Sequence, residues 1–244
     1  MDPKAYRDMA ETEARHWWFT GRRANLTAIL ETLSLPNAAR ILEIGSGTGG
    51  NLDMLARFGT VTALEMDATA RLIAAEKTNN RYHIVAGACP DDLPFADDKF
   101  DLVCLLDSLE HIEADAATLI AVRGLLATGG QVLITVPAHP WLWSAHDVFL
   151  HHKRRYRRGG LRDLCRAAGF AVERLSYFNF FLFPLAVMAR LKDRLMRSEV
   201  ATGADLPPAP VNALFGALFA SERFILPHVA LPAGVSLLAV LRAA

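Results

Sequence analysis

Residues 41–50, ILEIGSGTGG, decide the fold. Ile41, Leu42 and Ile44 form a short apolar run, and Gly45, Gly47, Gly49 and Gly50 crowd in behind it. The pattern predicts a buried strand ending in a turn stripped of side chains, so that a ligand can lie against bare backbone. Leu52, Leu55 and Ala56 then recur at helical spacing. Strand, glycine turn and helix together make the ligand-binding corner of a doubly wound α/β sheet.

Gly45, Gly47 and Gly50 satisfy G-x-G-x-x-G, the dinucleotide fingerprint, but so short a glycine pattern also arises by chance. Glu43 weighs against that ligand, because an acid beside the loop suits a cationic group better than a pyrophosphate. Glu43-x-Gly45-x-Gly47-x-Gly49 resembles the first motif of the class I S-adenosylmethionine-dependent methyltransferases. Further stretches carry the same resemblance in order. Val61–Glu65 reads as a second strand ending in an acid about 20 residues past the first glycine, where nucleoside-binding folds place a ribose ligand. Met66 follows, positioned to pack on an adenine. Residues 82–86 read as a third strand, and GACPDDLPF (87–95) is similar to the family's adenine segment, except that Ala88 stands where an acid is usual. Backbone at Ala88 and Cys89, or Asp91, would have to substitute.

Residues 99–107 are almost continuously apolar, as expected of a central parallel strand buried on both faces. FDLVCLLDSLEHI (100–112) looks like the family's fourth strand and the turn after it; the lone His111 there reads as structural rather than catalytic. A helix over 116–126, closed by Thr128-Gly129-Gly130, and a fifth strand over 131–136 complete the resemblance. It implies a Rossmann-like, seven-stranded sheet in the order 3-2-1-4-5-7-6, flanked by helices. It also implies S-adenosylmethionine as cofactor and S-adenosylhomocysteine as product. Carried over residue by residue, the cofactor ligands are Glu43, Gly45, Ser46, Gly47, Gly49, Asn51, Glu65, Met66, Ala88, Cys89 and Asp107.

Upstream, residues 3–33 read as a helical cap interrupted by His16-Trp17-Trp18-Phe19. Those aromatics suit core packing. A sharper reading makes Trp17, Trp18 and Arg22 a lid, with aromatic faces for a sulfonium and an arginine for the methionine carboxylate.

Downstream, PAHPWLWSAHDVFLHHKRRYRR (137–158) leaves the carboxyl end of strand five, where a methyl acceptor belongs. It resembles a methyltransferase subgroup with Pro-x-x-x-x-Leu-Trp-Ser-x-x-Asp followed by His-x-Arg-Arg-Tyr. Leu142, Trp143, Ser144, Asp147, His152, Arg154, Arg155 and Tyr156 fall on that pattern. A charge run of this kind is often only a solvated loop. The functional reading gives Trp143 a pocket wall, and gives Arg154 and Arg155 an anionic acceptor group held by forked hydrogen bonds. His146 or His152, oriented by Asp147, would serve as base, with Tyr156 beside them. A metal held by His146, Asp147 and His151 is conceivable from helical spacing but lacks a supporting ligand pattern, so no metal is assigned.

Gly159-Gly160 precedes a helix over 161–168 and a sixth strand over 170–177. An intensely apolar run at 178–189 leads into Arg190, Lys192, Arg194 and Arg197, then a Pro-rich linker over 198–210 and a second apolar helix over 211–226. The last strand reads as 235–241. The domain division is therefore 1–178 for cap and core, 179–228 for a helical insertion before the last strand, and 229–244 for that strand. The insertion suits a substrate cover, a homodimer interface or a membrane-surface element. A lipid-like, anionic acceptor would explain both the apolar insertion and the arginines.

Composition limits the rest. Lys+Arg and Asp+Glu balance at 26 each, which gives no footprint for nucleic acid. Three scattered cysteines exclude a disulfide framework. No run reaches the roughly 18 apolar residues of a membrane span, and the charged start lacks a signal-peptide core. The expectation is a cytoplasmic enzyme, with or without peripheral attachment at the inner face of the membrane. Two rivals remain open: an NAD-dependent oxidoreductase, and a catalytically inactive S-adenosylmethionine-binding accessory protein.

Overall fold

The structure, a computed structural model, describes residues 3–196 and 206–244. Helices α1 (Pro3–Thr12) and α2 (Trp17–Leu30) precede β1 (Arg40–Ile44), the single turn α3 (Leu52–Leu55), β2 (Thr60–Glu65), α4 (Ala68–Lys77), β3 (His83–Ala86) and β4 (Phe100–Leu106). There follow α5 (Asp115–Gly124), β5 (Leu126–Pro137), α6 (Ala145–Phe149), α7 (Arg158–Ala167), β6 (Phe170–Phe178), α8 (Phe183–Met196), α9 (Ala209–Ala220) and β7 (Ser236–Ala243). Seven strands form one sheet in the order β3-β2-β1-β4-β5-β7-β6. All pairings are parallel except those of β7, which runs antiparallel to both β5 and β6. This is the expected methyltransferase order. The reversed β7 wedged between β5 and β6 distinguishes it from the dinucleotide-binding order 3-2-1-4-5-6.

Alternate side chains of each strand point to opposite faces, so continuous apolar strands feed two cores. On one face Ile41, Ala63, Leu102, Cys104, Leu133 and Leu238 pack with Leu26, Ile29 and Leu30 of α2 and with Phe219 and Leu226. On the other, Leu42, Leu64, Val103, Leu105, Ile134 and Ala239 pack with Leu119 and Val122 of α5 and Leu161 and Cys165 of α7.

The helical cap read over 3–33, with its interruption at the aromatic cluster, is two helices. His16 is extended, and its Nδ1 accepts the Trp18 N–H at 3.2 Å, so the ring caps α2 and separates it from α1. The helix expected over 116–126 ends at Gly124, and Gly129-Gly130 lies within the long β5 instead of stopping a helix. The insertion is stitched to the cap: Asn25 Nδ2 donates to the Phe219 carbonyl at 2.9 Å, and Trp17 N–H donates to Asn212 Oδ1 at 2.9 Å. The buried Glu222 carboxylate accepts the N–H groups of Asn179, Phe180 and Phe181, fixing the turn out of β6. Leu185, Met188 and Leu191 on α8 and Leu214 and Leu218 on α9 remain exposed. No helix among the described residues is long and apolar enough to cross a membrane. The part of the Pro-rich linker at 198–205 lies outside the described residues.

Candidate active site

The glycine turn sits at the carboxyl end of β1. Gly45 has φ +74°, and a Cβ there would lie 2.7 Å from Ser108 Cβ, so the turn after β4 presses directly on it. Glu65, at the end of β2 and only 5% exposed, accepts the Gly47 N–H at 2.8 Å and the Asp67 N–H at 2.9 Å. Its carboxylate is thereby fixed beside the turn, with further lone pairs to accept from a ribose. Helix α1 lies over this corner. Tyr6 is buried, and burial together with the charges of Glu65 and Asp67 pushes its phenol above the ordinary range. The Glu13 carboxylate accepts from Thr48 Oγ1 at 2.8 Å and pairs with Lys77, and a side chain at Gly50 would collide with it.

Beneath the turn runs a buried polar web. Asn51 Nδ2 donates to Glu43 Oε1 at 2.7 Å, and Arg22 donates to Asn51 Oδ1 at 3.1 Å and to Thr135 Oγ1 at 3.3 Å. Arg22 also lies 2.5 Å from Asp107 Oδ2, and the Trp18 ring stacks 5.2 Å from the guanidinium. Burial raises the Glu43 carboxyl to about 7, against the Asn51 hydrogen bond and the Arg22 charge, which pull it down. Several buried atoms lack hydrogen-bond partners, among them Arg22 Nε, Glu43 Oε2, Ser46 Oγ and Ser108 Oγ. Leaving such groups unsatisfied is costly, and a ligand carrying both an ammonium and a carboxylate would satisfy them. The residues present therefore fit the methionine portion of S-adenosylmethionine.

On the adenine side, Met66 stands 73% exposed at the end of β2, available as a platform. Ala88 corrects an expectation. Its N–H donates to the Asp92 carbonyl at 2.8 Å and its carbonyl accepts from Asp92 N–H, so that backbone is already committed within the loop. Cys89 is half-buried, and burial raises its thiol to about 11.

The 137–158 segment folds around Asp147, which is fully buried. Ser144 N–H and Oγ donate to Asp147 Oδ2 in a capping box that starts α6. His152 Nδ1 lies 2.9 Å from Asp147 Oδ1, and Arg155 Nε donates to the same oxygen at 2.7 Å. Burial pushes the Asp147 carboxyl up, but those hydrogen bonds and the Arg155 charge hold it well below its usual range. The structure thus joins Asp147 with His152. His146 lies half-buried on α6.

Other expectations for this segment are overturned. Arg155 is spent on Asp147 and on the Ala138 carbonyl at 3.1 Å, and Arg154 on Asp115 at 2.8 Å and on the Glu113 carbonyl at 2.9 Å. Neither offers an open fork to an anion. Tyr156 is buried in the core and donates to Asp115 at 2.9 Å, and burial raises its phenol beyond the ordinary range, so it is no base. Trp17 packs edge-on against Phe215 and Phe219 of α9, so it holds the cap to the insertion instead of facing a ligand. Trp143 is half-buried at the end of a short 3-10 turn over Pro140–Leu142.

Sequence reading missed Tyr6, Glu13 and Thr135. Nothing in a polar N-terminal helix signals which turn it covers; Thr135 could have been found as the polar position near the carboxyl end of an apolar strand. His111 was expected to be structural. Burial and the neighbouring His152 lower its imidazole to about 4, so the ring is neutral.

A family profile described as a methyltransferase domain matches residues 15–175. A demethylmenaquinone methyltransferase of Tropheryma whipplei (strain Twist) is 25% identical over 114 residues, 46% of this chain and 48% of that protein. The match thus spans about half the length of the curated relative. Among solved structures, one from the Haloferax volcanii complex of the Trm112 methyltransferase activator with a methyltransferase has a TM-score of 0.62 at 19% identity, covering 97% of this chain and 93% of that one. A Thermotoga maritima SAM-dependent methyltransferase has a TM-score of 0.61 at 18% identity, covering 98% of this chain and 99% of that one. At these identities the structural likeness establishes the fold.

Proposed function

The chain belongs to the methyltransferase-domain family, and from that premise we propose that it transfers the methyl group of S-adenosylmethionine to a small or lipid-like acceptor, leaving S-adenosylhomocysteine. The observation that carries the reading is the pairing of the amide-fixed Glu65 carboxylate with the under-satisfied web of Glu43, Asn51, Arg22 and Asp107 one strand away. Glu65 holds the ribose hydroxyls and Met66 supports the adenine. Glu43 and Asp107 favour the ammonium, and the unpartnered Nε of Arg22 the carboxylate. The cofactor supplies an electrophilic methyl on a sulfonium; the protein's task is to place the acceptor in line behind it. Where the acceptor is a hydroxyl, His152, oriented by Asp147, stands as the group to accept its proton.

The apolar residues exposed on α8 and α9 support an acceptor with lipid-like character, or a covering surface such as a membrane or a second copy. An acceptor such as the demethylmenaquinone for which the Tropheryma relative is named would agree with this. Calorimetric titration with S-adenosylmethionine, S-adenosylhomocysteine and NAD tests the proposal. Binding of both adenosyl ligands, weakened at least tenfold by Glu65→Ala and absent for NAD, is expected. Binding of NAD alone would overturn it.

A further inference from the structure

The short turn Leu109–His111 after β4 and the loop after α6 meet at a cluster of side chains the cofactor does not use. One donor atom each from Glu110, His111 and His152 lie within 4.8 Å of one another, the one such group of three among the described residues. His152 Nε2 is 4.0 Å from Glu110 Oε1, and the His111 and His152 rings meet edge to face with centroids 4.8 Å apart. The loop is pinned in this position by Lys153 N–H, which donates to the Glu110 carbonyl at 2.8 Å.

Two features separate this cluster from an ordinary polar contact. Glu110 is 1% exposed, and its Oε2 has no hydrogen-bond partner. An orphaned buried carboxylate oxygen is costly and calls for a donor or a cation. The His152 ring is also oriented from behind: its Nδ1 is held by Asp147, which leaves Nε2 facing Glu110. A carboxylate behind an imidazole is the arrangement that fixes tautomer and direction in metal-bound histidines.

We propose that Glu110, His111 and His152 form a binding site for a divalent first-row cation, with Asp147 as the supporting carboxylate of His152. Two imidazoles and a carboxylate suit Zn²⁺, Fe²⁺ or Mn²⁺, and three protein ligands leave coordination positions open. Bonds of about 2.1 Å bring such donors roughly 3.3 Å apart, so the cluster closes by shifts of about an ångström in side-chain position. The site replaces the His146, Asp147 and His151 combination suggested by helical spacing. The turn bearing Glu110 and His111 directly follows Ser108, which packs on Gly45, so the cation would sit beside the cofactor corner. An open position there would take an acceptor oxygen and favour loss of its proton, with His152 as ligand in place of base. Only this last role rests on the methyltransferase reading; cation binding itself does not.

The test titrates metal-stripped full-length protein with Zn²⁺ by calorimetry and with Co²⁺ by visible absorption, without cofactor. One equivalent should bind, with ligand-field bands of nitrogen–oxygen coordination. Imidazole resonances of His111 and His152, but not of His83 or His228, should shift. Glu110→Gln, His111→Ala and His152→Ala should each weaken binding at least tenfold, and Asp147→Asn by roughly 10- to 100-fold. His83→Ala and His228→Ala should leave it unchanged. Absence of stoichiometric uptake by the folded wild type, or affinity unaltered in both His111→Ala and His152→Ala, would overturn the proposal. Should a variant fail to fold, the wild-type Co²⁺ spectrum and imidazole shifts decide. The separate S-adenosylmethionine titration keeps failure of the cation site distinct from failure of the cofactor reading.

Discussion

Arg22, near the start of α2, reaches to 2.5 Å from Asp107, the residue that follows β4 in a left-handed conformation at φ +56°. The pair bridges cap and sheet at the place where the methionine carboxylate would lie. Arg22→Ala should weaken S-adenosylmethionine binding by about 1.5–3 kcal/mol, the range for a charge-assisted hydrogen bond. Arg22→Lys should recover only part of it, because an ammonium cannot reproduce the guanidinium fork over Asn51, Thr135 and Asp107. Calorimetry on the three proteins checks this, and equal affinity in all of them would remove Arg22 from the site.

Glu43 makes the ligand-free protein sensitive to pH. Its carboxyl is raised from the usual 4.5 to about 7 by burial. Between those values the native state holds a proton that the unfolded chain has lost, so stability falls as pH rises through this window. The cost is fully present above about pH 7 and amounts to about 3 kcal/mol at most. Glu43→Gln should therefore raise the ligand-free Tm at pH 8, leave it nearly unchanged at pH 4.5, and weaken binding of the cationic cofactor. Thermal melts across pH test the sign.

Helix α1 is fastened over the glycine turn by Glu13, through Thr48 and Lys77. Glu13→Gln should speed amide exchange in residues 3–12 and 46–50 and leave the exchange of β4 and β5 unaltered. Unchanged exchange over both segments would mean that α1 is held by apolar packing alone.

The two arginines of the 154–155 pair should behave differently. Arg155→Ala strands the buried Asp147 and should cost about 3–5 kcal/mol, as expected when one partner of a buried ion pair is removed. Arg154 is partly exposed, and Arg154→Ala should cost about 1 kcal/mol or less. Urea unfolding gives both values. Equal, small effects on stability combined with lost acceptor affinity would restore the anion-clamp reading.

Glu222 carries the turn into the insertion on three backbone N–H groups. Glu222→Ala leaves those donors unpaired, the Asn179 N–H among them in a buried setting, and should destabilise by about 2–4 kcal/mol. Phe224→Ala, at a 67% exposed position, should be close to neutral.

The β-α order, the glycine corner and the acids at positions 43 and 65 are legible in the chain because they depend on local patterns. An apolar run of strand length next to a glycine cluster has few foldings, and an acid at its end has few places to point. Cap and insertion were legible only as helical segments. That Trp17 faces α9 while Trp18 stacks on Arg22 follows from the break at His16, where a ring nitrogen takes the place of the usual capping oxygen. The arginine pair misled for a related reason. A run of positive charge looks solvent-facing until its counter-charges are located, and Asp115 and Asp147 come from different elements of the loop's surroundings.

The sequence by itself determined the succession of strands and helices, the glycine corner and the family resemblance that implies the strand order, because each motif rests on residues close together along the chain. Only the tertiary structure decided which polar side chains are free to act. It brings Arg22 to Asp107, Glu13 to Thr48, and Glu110 and His111 to His152 across long stretches of intervening chain. Burial then decides the outcome. A charged group packed in the interior is spent wherever a partner lies within reach, and one left without a partner there marks the place where a ligand is needed.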